Sequence, residues 1–164
     1  MMMVSTKGRY ALRVLADMAE HQSDGYLPLK EIAQRQDISE KYLESIVKVL
    51  VKGGVLKGLR GKGGGYRLNQ SPDQYTVGAI LRMTEGSLAP VACLEPEAAP
   101  CDRASVCPTL RMWQGLDRII NEYLDGYTVA DLMRTEQPGD FYVILPKAPG
   151  HEKKEDGGIC GNSP

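Results

Sequence analysis

Histidine is nearly absent from this 164-residue chain: His21 and His151 are the only two, and neither sits beside a cysteine. With no Cys–His pair in view, thiol-based nucleophilic catalysis lacks its usual base. Aromatic residues are few as well, Trp113, Phe141 and eight tyrosines, which points to an aliphatic core. The four cysteines include no Cys-x-x-Cys pair, which argues against a zinc ribbon and against a thioredoxin-type redox motif. No apolar run approaches the roughly 20 residues of a membrane-spanning helix, and Met1 to Tyr10 lacks the apolar stretch of a signal peptide. A cytoplasmic protein with no membrane partner is expected. The 42% hydrophobic and 25% charged fractions exclude disorder throughout, and the length argues against a large multidomain enzyme.

What is present is glycine, 18 residues of it, and a lopsided charge. The overall charge of -1 conceals two unlike halves. Residues 1–70 hold 12 Lys/Arg against 7 Asp/Glu, net +5, whereas 71–164 hold 8 against 14, net -6. A basic unit joined to an acidic one is what a polyanion-binding head with a separate regulatory or assembly body shows.

Ser5 and Thr6 can cap a helix whose Tyr10, Val14, Leu15 and Met18 recur at helical spacing and which stops before Ser23-Asp24-Gly25. A short second helix, 29–36, follows Pro28. Ser39 caps a third, 40–52, with Leu43, Ile46, Val47 and Leu50 on one side and Gly53-Gly54 at its end. The period then changes, and 55–60 and 66–68 read as strands around the glycine-rich tip 61–65. The expected fold is mainly α with a small β-hairpin wing, a winged helix-turn-helix. Thr76 caps a fourth helix, 77–85, closed by Gly86, after which Pro90, Pro96, Pro100 and Pro108 keep 87–108 irregular. A fifth helix, 109–124, spreads Leu110, Trp113, Leu116, Ile119, Ile120, Tyr123 and Leu124 over more than half its circumference, so a second subunit is expected against it. A short helix, 128–135, follows, and the composition from Gln137 onward is that of a frayed tail. The expected division is a DNA-binding head, 1–70, a helix and cysteine-bearing sensor loop, 71–108, a dimerisation segment, 109–136, and a disordered tail, 137–164.

A helix-turn-helix puts the first turns of its second helix into the major groove, which brings Lys41, Tyr42, Glu44, Ser45 and Lys48 forward. Glutamate can accept from a cytosine amino group, while Lys41, Lys48 and Tyr42 suit phosphates; the competing reading is a solvated helix face. Arg60 and Lys62 flank a tip nearly free of side chains, so backbone can approach a duplex while Arg60 enters the minor groove. A nucleotide-phosphate loop fails, because Gly63 stands where Ser or Thr must follow Gly-Lys and Tyr66 where a dinucleotide fingerprint needs glycine. Cys93, Cys101 and Cys107, with seven and five residues between them, share one irregular loop. Their soft thiolates suit an iron-sulfur cluster; inert or redox-sensitive thiols are the other reading. Cys160, in the tail, reads as incidental.

Thr6-Lys7-Gly8-Arg9-Tyr10-Ala11, Ile38-Ser39-Glu40-Lys41-Tyr42-Leu43-Glu44 and Leu59-Arg60-Gly61-Lys62-Gly63-Gly64-Gly65-Tyr66 precede the cysteine loop in that order. Together they resemble the Rrf2 family of bacterial winged-helix regulators over roughly residues 3–135. The resemblance implies a homodimer on a palindromic operator, with the helix after the cysteine loop as its seam. It matches Glu44, with Tyr42 beside it, to a position that helps read operator bases and Arg60 to the wing arginine. The three cysteines resemble the family's iron-sulfur branch rather than its cysteine-metabolism branch, whose members lack them. That implies a cluster on Cys93, Cys101 and Cys107, with a 2Fe–2S type expected and 4Fe–4S as the alternative, in a regulator sensing cluster status, redox state or nitric oxide. The family's fourth-ligand histidine is matched here by Leu110 and its acidic counterpart in the first helix by Arg9, which leaves Glu95, Glu97, Asp102, Cys160 or a small thiol open as the fourth ligand. The alternative is a repressor of cysteine or sulfur metabolism controlled by a partner protein or by direct thiol oxidation. No enzymatic role is expected.

Overall fold

A computed structural model describes residues 4–22 and 25–133. The tail, Cys160 and the expected end of the last helix at Thr135 lie outside the described residues. Helix α1 (Thr6–His21) starts at Ser5, whose Oγ accepts the Gly8 N–H at 3.3 Å. Helix α2 (Leu29–Gln36) is ended by Asp37 at φ 53°, a left-handed turn that a short polar side chain tolerates, and Ser39 then caps α3 (Glu40–Lys52). That tight turn aims α3 across α2. Strands β1 (Leu56–Leu59) and β2 (Gly65–Leu68) pair antiparallel with Leu56 opposite Leu68 and Leu59 opposite Gly65. Thr76 caps α4 (Val77–Glu85) through the Ala79 N–H, and α5 (Leu110–Asp125) and α6 (Val129–Leu132) complete the chain. The architecture is the mainly helical one with a hairpin wing that the pattern predicts.

The core forms where the helical stripes meet. Leu15, Met18, Ile32, Leu43, Ile46 and Leu50 are fully buried and share one cluster with Leu56, Leu68, Ile80 and Val129. Burying each of these large aliphatic side chains contributes about 1.5–3 kcal/mol. Ile80 of α4 and Val129 of α6 thus belong to the same core as the three N-terminal helices. A 3-10 turn at Pro72–Gln74, absent from the sequence reading, makes the connection, and Tyr75 locks it by donating from its hydroxyl to the Val55 carbonyl at 3.2 Å.

One buried charge sets the helix-turn-helix. Asp17 is 4% exposed and takes a forked contact from Arg35, with Nη2 to Oδ2 at 2.8 Å and Nε to Oδ1 at 2.9 Å, plus the Gln36 amide at 3.0 Å. Burial works against the Asp17 carboxylate, but the hydrogen bonds from Arg35 and Gln36 outweigh it and hold the pKa below the ordinary value. The result ties the middle of α1 to the end of α2, from which α3 departs.

Candidate nucleic-acid interface and cysteine loop

On α3, Lys41, Ser45, Lys48 and Lys52 fall three or four residues apart, so they form one exposed stripe, with the exposed Glu44 beside it. Tyr42 is placed differently. It is half-buried with its ring 6.0 Å from that of Tyr10 in an edge-on contact, so much of its surface serves the joint between α3 and α1. Ser45 Oγ donates to the Tyr42 carbonyl at 2.7 Å, which leaves its oxygen free to accept.

The wing owes its shape to glycine. Gly63 sits at φ 76°, and a Cβ on Gly65 would collide with the Leu27 carbonyl. That close approach lets β2 pair on both edges, with Leu27 N–H donating to Tyr66 O at 2.9 Å and Tyr66 N–H to Leu27 O at 2.8 Å. The hairpin is thereby fixed to the start of α2. Between it and α3 opens a groove of about 780 Å³ whose walls include Lys30, Lys48, Lys52 and Arg60, with Val51 and Leu59 beside them. None of the four cations has an acidic partner among the described residues. Unpaired positive charge concentrated along a groove attracts a polyanion. Lys62 is exposed at the wing tip, outside the groove wall. Lys30 and Lys52 escaped the sequence reading. Lys52 is one turn beyond Lys48 and could have been found from spacing; Lys30 joins the wall only through the tertiary fold.

The cysteine loop leaves α4 at Gly86, φ 85°, and is anchored by Leu88, which is 3% exposed. Its root is tied to the head: the Glu85 carboxylate accepts from Ser5 Oγ at 2.8 Å, the same residue that caps α1. Cys93 lies on a 3-10 turn, Ala92–Leu94, and is exposed, as is Cys101; Cys107 is half-exposed just ahead of α5. All three thiols are free. Hydrogen bonding from the Thr109 side chain, 3.5 Å away, and from the Thr109 and Leu110 backbone holds the Cys107 pKa below the ordinary thiol value, which favours thiolate. The loop does not bring the three cysteines together: among the described residues no three His, Cys, Asp or Glu side chains are grouped to hold a metal ion. In kind, three soft donors fit an iron-sulfur cluster. In position they enclose none as they stand, and Leu110 and Arg9 offer no fourth donor.

Helix α5 divides its broad apolar surface in two. Ile120 and Leu124 pack against Val77, Leu81 and Leu88, while Met112, Leu116, Ile119 and Tyr123 form a second stripe that is 39–56% exposed. Arg82 fastens the packed side, donating to Asn121 Oδ1 at 2.6 Å and pairing with Asp125. Trp113 is half-buried.

A winged helix-turn-helix with a cationic groove between α3 and its wing defines a DNA-binding regulator. Residues 4–135 match the Rrf2 family, described as an iron-dependent transcriptional regulator, and the chain belongs to that family. It is 37% identical over 132 residues to the HTH-type transcriptional regulator IscR of Aliivibrio salmonicida, covering 80% of this chain and 77% of that one. It is 40% identical over 131 residues to the HTH-type transcriptional regulator CymR of Bacillus subtilis, covering 80% and 89%. A solved structure of IscR from T. potens superimposes with a TM-score of 0.64 at 36% identity over 82% of this chain and 88% of that one. Likeness to both IscR and CymR fixes the class of protein and leaves the sensed signal to the residues of this chain. Among the described residues, no helix is long and apolar enough to cross a membrane.

Proposed function

We propose that this chain is a homodimeric, cytoplasmic transcription regulator without enzymatic activity, which grips a palindromic operator and whose grip is set by its loop thiols. The observation that carries the reading is the groove walled by Lys30, Lys48, Lys52 and Arg60, with no acidic partner among the described residues, on a head joined to a loop with three free thiols. Lys41, Ser45, Glu44 and Tyr42 present the start of α3 to base edges and phosphates, and Arg60 and Lys62 carry the wing to the neighbouring minor groove. The uncovered stripe Met112, Leu116, Ile119 and Tyr123 is the seam for the second copy, which places two heads on two half-sites.

Cys93, Cys101 and Cys107 would hold an iron-sulfur cluster, 2Fe–2S first. Such a group supplies a centre reactive toward oxidants and nitric oxide. The chain's own part would be mechanical: the loop that carries the three thiols is rooted at Glu85, whose carboxylate accepts from Ser5 at the cap of α1, and ends at α5, the proposed seam. Both ends of the loop therefore bear on the spacing of the two heads. A second reading has one specific support. The separated thiols and the thiolate-favouring surroundings of Cys107 also suit direct oxidation, in a repressor of cysteine or sulfur metabolism.

The test is to purify the full chain without oxygen, assay iron and sulfide, select duplexes from genomic DNA, and measure binding against salt. The cluster reading expects coloured protein with stoichiometric iron and sulfide. Iron-free protein whose operator binding falls on mild oxidation supports the second reading instead, and a flat salt response contradicts DNA binding by the groove.

A further inference from the structure

We propose that the base of the wing holds a small oxyanion, of phosphate or carboxylate type, on the guanidinium of Arg67. Strand alternation turns Leu68 into the core and Arg67 to the opposite face, where the antiparallel register sets it directly across from Lys57. Like charges directly opposite on one face of a hairpin repel, and neither residue has an acidic partner among the described residues. The Arg67 guanidinium lies over the Tyr26 ring at 5.2 Å, which occupies one of its faces and leaves its edges for hydrogen bonds. Among the described residues no hydrogen bond is made by Arg67 Nε, although it is buried from solvent. A buried donor left unpaired destabilises the fold, and native structures commonly satisfy such groups with water or an ion.

Arg67 lines a cavity of about 410 Å³ together with Gln22, Asn69 and Ser71, and no carboxylate is among the lining residues. Gln22 reaches it from the end of α1. Its Oε1 accepts the Leu68 N–H at 2.9 Å, so the amide is oriented, and its NH2 group has no partner among the described residues. A planar guanidinium with free edges and an amide donor nearby are the partners that an oxyanion requires. None of the residues lining this cavity lines the groove between α3 and the wing. The anion site is thus separate from the proposed operator surface, yet it joins the end of α1 to β2. Occupancy would stiffen the wing where it meets the head; this consequence for DNA rests on the reading of the groove, whereas binding itself does not.

The experiment is a titration of the full-length protein with inorganic phosphate against chloride at constant pH and ionic strength, followed by backbone amide NMR. Saturable shifts are expected at Gln22 and across Arg67 to Ser71. They should vanish in Arg67→Gln, weaken in Gln22→Ala and persist in Arg103→Gln. Equal shifts with chloride, or shifts that survive Arg67→Gln, would overturn the site. If phosphate leaves the spectrum unmoved while Arg67→Gln lowers the salt slope of duplex binding by about one, Arg67 serves the operator backbone and the small-anion site is wrong.

Discussion

Helices α3 and α5 are both amphipathic and of similar length, yet α3 buries Leu43, Ile46, Val47 and Leu50 whereas none of the sixteen residues of α5 is buried. The contrast extends to what surrounds them. The head shares one closed core with Ile80 of α4 and Val129 of α6, and Asp17, its buried carboxylate among the described residues, is paired. The loop and α5 leave three thiols free and an apolar stripe in solvent. An element whose stripe is completed inside one chain is a scaffold; one whose stripe stays open awaits something from outside. In this protein the finished half holds the cationic groove proposed to face DNA, and the unfinished half is where a second copy and a chemical signal would act.

The sharpest way to break this contrast is to damage each helix in turn. Leu43→Ala should cost about 2–5 kcal/mol, read from the urea midpoint, because α3 belongs to a packed core. Ile119→Asp should leave the head folded but abolish the dimer, with operator affinity falling by at least about 100-fold as the two half-sites lose their linkage; sedimentation and fluorescence anisotropy would show both. Arg60→Ala should weaken operator binding by about 1–3 kcal/mol, while Lys52→Gln should reduce the slope of log affinity against log salt by about 0.9. The Asp17 carboxylate has a folded-state pKa below its ordinary 3.8, so it stabilises the head above that value. That contribution is lost as pH falls through the lowered pKa, and Asp17→Asn should flatten the acid limb of the stability curve. Smallest of all, replacing Cys93, Cys101 and Cys107 with serine should change the stability of the metal-free protein by no more than about 0.5 kcal/mol, because no core contact depends on them.

The parts that local chemistry dictates could be read from residues. Ser39 as a cap and Gly53 as a stop fall where the structure has them, and the expected tip 61–65 is a turn except for Gly65, which opens β2, because caps and glycine turns are decided within a few residues. The Pro72–Gln74 turn was missed, since it exists to let Tyr75 reach the Val55 carbonyl from twenty residues away. Asp17 was missed for the same reason: its partners Arg35 and Gln36 lie on another helix. The wide apolar face of α5 was visible in spacing, but its division into a packed stripe and an open one depends on α4. Three thiols on one loop were visible as well, whereas their separation is a property of the folded loop.

The most direct test of the account compares operator affinity of the protein with iron and sulfide loaded and removed, in the natural chain and in the triple serine variant. The natural chain should change affinity by about 5–150-fold between the two states, the usual range of coupling between distinct sites, and the variant should bind with one affinity in both. Equal affinities for the loaded and stripped natural chain would contradict the claim that the loop thiols set the grip of the head.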